Sequence, residues 1–309
     1  MKFEAKGVIP AALMPWTASM DMDLEGLARH LGELADVKGV TAVCVNGHAS
    51  EVMSCTEDEQ AAILENSVAA VGNRLPLISG VFSENSLAAA RMAKRWESLG
   101  ASALLVVPPY TFGKGAQAHP QMVFDHYARI AQATSLPLII FQYTWAGGLG
   151  HSVDTLLQLV ERIPAICGIK DYCGDPILHE ETVRKLQNGP RRIGVLTAHS
   201  SWLLQSLALG CAGILSGAGS TIAPLQVELF EAMQAGDLAR AREVNERVNT
   251  ISRAFYKAPM AEQHHRMKQA QVQMGKLRND LMRPPLVAKF SDPEIAAISA
   301  ALRQVGMLR

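Results

Sequence analysis

The stretch "AICGIKDYCGD", Ala165 to Asp175, carries a short apolar run into a lysine, Lys170, and then into a Gly-Asp turn. A run this short, bounded by turn residues, reads as a strand buried on both faces. A solvated lysine belongs on a surface. One that closes such a strand is expected at a pocket mouth, partly desolvated. Seven more runs of the same kind lie along the chain: "GVIPAAL" (7–13), "GVTAVCV" (39–45), "LPLISGV" (75–81), "ASALLVV" (101–107), "LPLIIFQ" (136–142), "RIGVLT" (192–197) and "CAGILSG" (211–217). Helical patterns separate them, such as "LEGLARHLGELADV" (24–37) and "SLAAARMAKRWESLG" (86–100). In the second, Ser83 to Ser86 offers N-caps and Gly100 a stop. Eight strand–helix units at even spacing predict an α/β fold, a (β/α)8 TIM barrel. The rival is a doubly wound sheet, but its dinucleotide fingerprint is missing. "GAGSTI" (217–222) lacks the third glycine and comes too late in the chain.

From about Pro224 the pattern turns to helices only, with "MRPPL" (282–286) as a break. The expected organisation is a barrel over 1–223 and a helical C-terminal extension over 224–309, packed on the barrel. Lys plus Arg and Asp plus Glu both number 29 in 309 residues, so net charge is zero. That balance gives no electrostatic case for nucleic acid or an anionic membrane. No apolar run approaches the roughly 20 residues a membrane span needs. "MKFEAKGVIP" has no signal-peptide pattern, and a cytoplasmic location is the expectation. The five cysteines, an odd number at wide spacing, predict no disulfide framework. Without a CxxC pair or an HExxH helix, no metal site is expected. Cys44, Cys167 and Cys211 read as small buried hydrophobes, and His264 and His265 as solvated surface.

Barrel chemistry sits at the C-terminal strand ends. Those ends are Asn46 to Glu51, Pro108 to Thr111, Phe141 to Thr144, Lys170, and Ser216 to Ser220. Burial depresses a lysine's pKa, and its free amine can attack a carbonyl to form a Schiff base. The alternative is a lysine paired with Asp171 or another carboxylate at a strand end. In "NGHASE" (46–51), Gly47 permits a tight turn, and the Ala49 and Ser50 amides can form an anion nest. His48 can move protons near neutral pH. The same stretch also reads as an ordinary turn with Ser50 as a cap. Tyr110, in "VVPPYT" (106–111), can join a proton relay or simply pack. "ILSGAGS" (214–220) is glycine-rich and suits phosphate or close approach of a substrate to the backbone.

Taken together, these segments resemble the dihydrodipicolinate synthase/N-acetylneuraminate lyase family of class I, Schiff-base aldolases, over nearly the whole chain. "GIKDYCGD" is similar to the family's lysine motif, which implies that Lys170 is the imine residue. Gly47-His48-Ala49-Ser50-Glu51 takes the place of its G-T-T-G-E carboxylate loop, and Pro108-Pro109-Tyr110 that of its P-Y-Y loop. Gly213 to Gly217, with Leu215, Ser216 and Gly217 expected at the substrate, matches G-x-I-S-G. The chain also departs from the pattern. Phe141 stands where the family has its acid/base tyrosine, and a phenyl ring carries no proton to exchange. His48 and Ala49 replace both threonines, and Ala146 replaces an arginine. Tyr143, two residues beyond Phe141, lies on the same strand face and can supply the missing hydroxyl.

The resemblance therefore implies a lyase acting on pyruvate or a substituted 2-oxo acid through an imine on Lys170, with no cofactor. Dihydrodipicolinate synthesis itself is not expected. Proton transfer falls to His48, Tyr110, Tyr143 or a bound water, and a 2-keto-3-deoxy sugar acid dehydratase is the nearest alternative. A non-catalytic small-acid-binding barrel is the alternative outside enzymes. Assembly as a homo-oligomer, dimer or tetramer, is implied by resemblance alone.

Overall fold

A computed structural model describes residues 3–286 and 289–308. Each apolar run holds one strand: β1 (Gly7–Pro10), β2 (Val43–Val45), β3 (Leu77–Val81), β4 (Ala103–Val106), β5 (Leu138–Gln142), β6 (Ile166–Asp171), β7 (Gly194–Thr197) and β8 (Gly213–Ser216). The eight strands are parallel and run in the order β1-β8-β7-β6-β5-β4-β3-β2. Bridges Val8↔Val40 and Ala11↔Cys44 bring β2 back to β1 and close the ring. Strands buried on both faces have no solvent side to alternate with, which is why they read as continuous apolar runs.

Between the strands lie α1 (Leu24–Asp36), α2 (Glu57–Val71), α3 (Ser86–Ser98), α4 (Pro120–Ala133), α5 (Val153–Arg162), α6 (Pro176–Thr182), α7 (Leu203–Ala208) and α8 (Gly219–Gln234). Their starts follow local chemistry. Asn85 caps α3 with its carboxamide oxygen, and Gly100 leaves it at φ +95°. Thr56 and Glu59 form a capping box on α2. The bottom of the barrel is stoppered by Ala5. A Cβ on Gly194 would stand 1.9 Å from the Ala5 carbonyl, so only glycine admits this approach.

Helix α8 is kinked at Ile222 and contains Pro224, so the expected division at 223/224 falls inside it. Three further helices follow: α9 (Leu238–Phe255), α10 (Gln263–Gln273) and α11 (Asp292–Gln304). Helix α10 returns to the barrel mouth through a fully buried ion pair between Lys268 and Glu51. Glu51, held at φ 53°, also accepts from the Trp16 indole at 2.9 Å and the Arg283 amide at 2.9 Å. With its oxygens satisfied from three segments, this carboxylate is a hydrogen-bonded buried charge rather than a bare one. It fastens the loop after β2 to the C-terminal region.

Three buried histidines outside the cavity lining make the fold acid-sensitive. Burial lowers His30, His126 and His151 to about 4, with Lys276 adding to the effect on His30 and Glu84 opposing it on His126. An unfolded chain binds protons at these groups below about 6.5, and the folded chain resists until about 4. Stability is therefore full above this window and falls as pH drops through it, by several kcal/mol in total. We expect Tm to decline steeply between pH 6.5 and 4, and His30→Gln to flatten part of that decline. A Tm unchanged across the window would contradict these burials.

Candidate active site

The C-terminal strand ends open onto a cavity of about 100 Å³. Lys170 enters it from β6, and Phe141 and Tyr143 from the end of β5. His48, after β2, and Gly217, after β8, complete the barrel's share of the wall. A larger groove of about 800 Å³ is lined by the first turns of α3 and α4, not by strand ends.

Lys170 is only 6 % exposed. Phe141 is its register partner across β5–β6, and the ammonium lies 4.0 Å from the centre of that ring. Burial drives the Lys170 pKa down to about 8, with a small opposing effect from the Cys44 side chain. The aromatic face offers the cation partial compensation but forms no ion pair. Asp171 faces the other side of the strand, where its carboxylate meets His179 at 2.8 Å. Among the described residues, no carboxylate lies within ion-pair distance of the Lys170 amine. The alternative of a Lys170–Asp171 pair is thereby corrected: a one-residue step along a strand sends the two side chains to opposite faces.

The Tyr143 hydroxyl reaches both ring nitrogens of His48, at 3.1 Å for Nδ1 and closer for Nε2. The His48 ring also meets Phe141 edge-on at 5.4 Å. Burial lowers the His48 pKa to about 3, helped by Lys170 and then His264. Burial also pushes the Tyr143 phenol well up. Both groups are neutral at pH 7, so the pair can pass a proton without either resting as an ion.

The other expected residues divide. Gly217 and Phe141 line the cavity. Ala49 lies beside Gly217, its methyl 3.6 Å from where a Cβ would stand. The Ser50 amide already donates to the Gly47 carbonyl at 3.1 Å, and its hydroxyl donates to the Ala12 carbonyl at 2.8 Å. The turn at 47–51 thus consumes half of the expected nest. Leu215 is buried in the core. The Ser216 hydroxyl accepts from Gln226 at 2.9 Å, fastening α8 rather than facing the cavity. Tyr110 stays outside the cavity, 46 % exposed, with its hydroxyl donating to the Met53 sulfur at 2.7 Å. Its loop is held there because the Tyr110 and Thr111 amides donate to Glu84.

Three residues join the wall from the C-terminal region: Tyr256, Gln263 and His264. His264 is corrected from solvated surface. It sits against Gly217, and burial lowers its pKa to about 3 with help from Lys170 and Lys268. His265 is corrected too, being 5 % exposed and 3.0 Å from Asp280. Nothing in a Gln-rich helical pattern signals this, because the Lys268–Glu51 pair that turns α10 inward joins residues 217 positions apart. The Tyr256 hydroxyl accepts from Ser200 at 3.1 Å and from the Ala218 amide at 3.1 Å. With both acceptor sites filled, its own proton remains to be donated into the cavity.

A closed parallel barrel with a buried amine and a Tyr–His pair at its C-terminal mouth has the layout of a barrel enzyme. The dihydrodipicolinate synthetase family pattern matches residues 4–304, and the chain belongs to that family. A 4-hydroxy-tetrahydrodipicolinate synthase of Rhizobium meliloti (strain 1021) is 29 % identical over 303 residues, covering 98 % of this chain and 99 % of the relative. One from Methanopyrus kandleri is 28 % identical over 309 residues, covering 100 % and 99 %. Among solved structures, YagE, a prophage protein of Escherichia coli K12 in complex with pyruvate, superposes with a TM-score of 0.90 at 22 % identity. That superposition covers 98 % of this chain and 99 % of YagE. Dihydrodipicolinate synthase DapA-2 from Bacillus anthracis superposes at 0.87 with 25 % identity over 97 % and 99 % of the two chains. Among the described residues, no helix is long and apolar enough to cross a membrane.

Proposed function

We propose that this chain is a Schiff-base lyase, an aldolase or dehydratase, acting on pyruvate or a substituted 2-oxo acid. The observation that carries the reading is Lys170: buried at a cavity mouth, its pKa lowered to about 8, with no carboxylate partner among the described residues. In this reading its amine adds to the C2 ketone, and the carbinolamine loses its hydroxyl as water, taking a proton from Tyr143. His48 then accepts and returns protons through the Tyr143 hydroxyl. The protonated imine is the electron sink. If the C4 hydroxyl gives up its proton, the C3–C4 bond breaks, an aldehyde leaves and the enamine is reprotonated at C3. If C3 gives up its proton instead, the C4 hydroxyl leaves as water. Hydrolysis of the imine then frees Lys170. No cofactor takes part in either route.

The cavity, at about 100 Å³, suits a small acid. Its carboxylate would accept hydrogen bonds from the Tyr256 hydroxyl and the Ala49 amide. A hydrogen bond to a charged group is worth about 1.5–3 kcal/mol. Tyr256→Phe is therefore expected to raise KM roughly 10- to 100-fold with kcat little changed. A fall in kcat at unchanged KM would instead put Tyr256 on the proton path. The relatives are named as synthases, but Phe141 and Ala146 stand where the resemblance places a tyrosine and an arginine, and they favour a different product. Phe141 likewise favours the dehydratase as second reading. In a homo-oligomer, the exposed Tyr110 would meet a second copy rather than its own cavity.

The test is a panel of 4-hydroxy-2-oxo acids and 2-keto-3-deoxy sugar acids, with pyruvate release and water loss followed separately. Pyruvate release supports the aldolase, and loss of water with an intact carbon chain supports the dehydratase. Binding of pyruvate without turnover of any member, unchanged in Lys170→Ala, would overturn both in favour of a small-acid-binding barrel.

A further inference from the structure

β6 carries chemistry on its second face as well. Asp171 points away from the cavity into the layer between the barrel and the helices. There Asp171, Cys173, His179 and His199 converge. Each is buried, and one ligand atom from each lies within 4.8 Å of all the others. His179 Nδ1 is 2.8 Å from Asp171 Oδ2. His199 Nε2 is 3.7 Å from both Cys173 Sγ and Asp171 Oδ1.

A hydrogen bond accounts for the first distance. It does not account for a nitrogen and an oxygen at 3.7 Å, which is beyond bonding range. Around a tetrahedral zinc with bonds of about 2.0–2.3 Å, a nitrogen stands roughly 3.3–3.5 Å from an oxygen and roughly 3.5–3.6 Å from a sulfur. The two 3.7 Å separations lie within a few tenths of an ångström of such edges, and the 2.8 Å His179–Asp171 contact would open by about half an ångström on binding. The donor set also fits in kind, since imidazole and thiolate select zinc over calcium or magnesium. One carboxylate and one thiolate would balance a divalent ion, so the buried site would carry no net charge.

The surroundings hold these donors in place. The Cys173 amide donates to Asp171 Oδ1 at 2.9 Å, and His179 Nε2 faces the Cys211 sulfur at 3.2 Å. Trp202 stacks on His199 with ring centres 4.0 Å apart and meets His179 edge-on at 5.2 Å. A dry shell that orients both imidazoles is what a metal site needs beyond its ligands.

We propose that Asp171, Cys173, His179 and His199 form a closed tetrahedral site for Zn²⁺. It would tie the loop after β6 and helix α6 to the loop after β7, bracing the strand end that carries Lys170. Four protein ligands leave no open position, so the role is structural. The site does not depend on what Lys170 does. The spacing 171-173-179-199 follows no repeating pattern, so no motif marks the cluster, and the expectation of no metal is replaced by this proposal.

The test is metal analysis of the full chain purified without chelator, followed by Co²⁺ titration of chelator-treated protein. We expect about one zinc per chain, a thiolate-to-cobalt charge-transfer band with tetrahedral d–d bands, and a Tm several degrees lower for the stripped protein. Cys173→Ser should lose the charge-transfer band, and Cys211→Ser should keep it. Should Cys173→Ser not fold, the wild-type Co²⁺ spectrum decides alone. Metal far below one per chain with no Co²⁺ bands would overturn the proposal, leaving a hydrogen-bonded cluster. A band that survives in Cys173→Ser would overturn the ligand assignment.

Discussion

Lys170→Ala is expected to fold normally and to lose turnover by a factor on the order of 10⁴ or more. Removing the amine removes the covalent route altogether, and water in the gap cannot act as an electron sink. Stability should be unchanged or higher, because a desolvated ammonium held only by the Phe141 face is a cost to the fold. Lys170→Arg makes the sharper comparison. It keeps a positive charge near Phe141, but a guanidinium stays protonated and does not form the imine. Steady-state rates with the best substrate of the panel, alongside Tm, would check both variants. Activity within tenfold of wild type in either would remove the amine from the mechanism.

Tyr143→Phe is expected to lower kcat by about 10²–10⁴, the range for a positioned acid–base group. The hydroxyl is the proton carrier nearest to His48, and the structure puts the two in direct contact. Phe141, the residue in the tyrosine's usual place, has nothing to transfer. The loss should fall on kcat with KM nearly intact, because the hydroxyl works on proton movement rather than on holding the acid. His48→Phe should lower kcat in the same way, and the double variant should cost little more than Tyr143→Phe alone, since the two act as one relay. Additive losses would mean that the two groups serve separate steps. An unaffected kcat in Tyr143→Phe would pass the role to a bound water or to His264.

The barrel was legible because parallel strands covered on both sides must be apolar throughout, so each run from Gly7–Pro10 to Gly213–Ser216 stood out between amphipathic helices. Lys170 was legible for the same reason in reverse, as a charge where the pattern allowed none. Phe141 stood out through the family resemblance, and Tyr143 followed from it by strand alternation. The residues that were not legible come from contacts across long stretches of chain. Tyr256 is held at the cavity by Ser200 and the Ala218 amide, and His264 lies on α10, the helix that the Lys268–Glu51 pair ties to the loop after β2. The Asp171–His179–His199 cluster forms because β6 and β7 are neighbours in the sheet, which places residues after both strands in one layer. Within this chain Tyr110 and Ser216 are held outside the cavity by single hydrogen bonds, to Met53 and Gln226, that no periodicity encodes.

The most direct test of the account is borohydride reduction in the presence of pyruvate, followed by peptide mass spectrometry. The account predicts one stable adduct, carried by the peptide that contains Lys170 and absent from Lys170→Ala. An unmodified Lys170 under conditions where pyruvate demonstrably binds, or an adduct confined to other lysines, would contradict it.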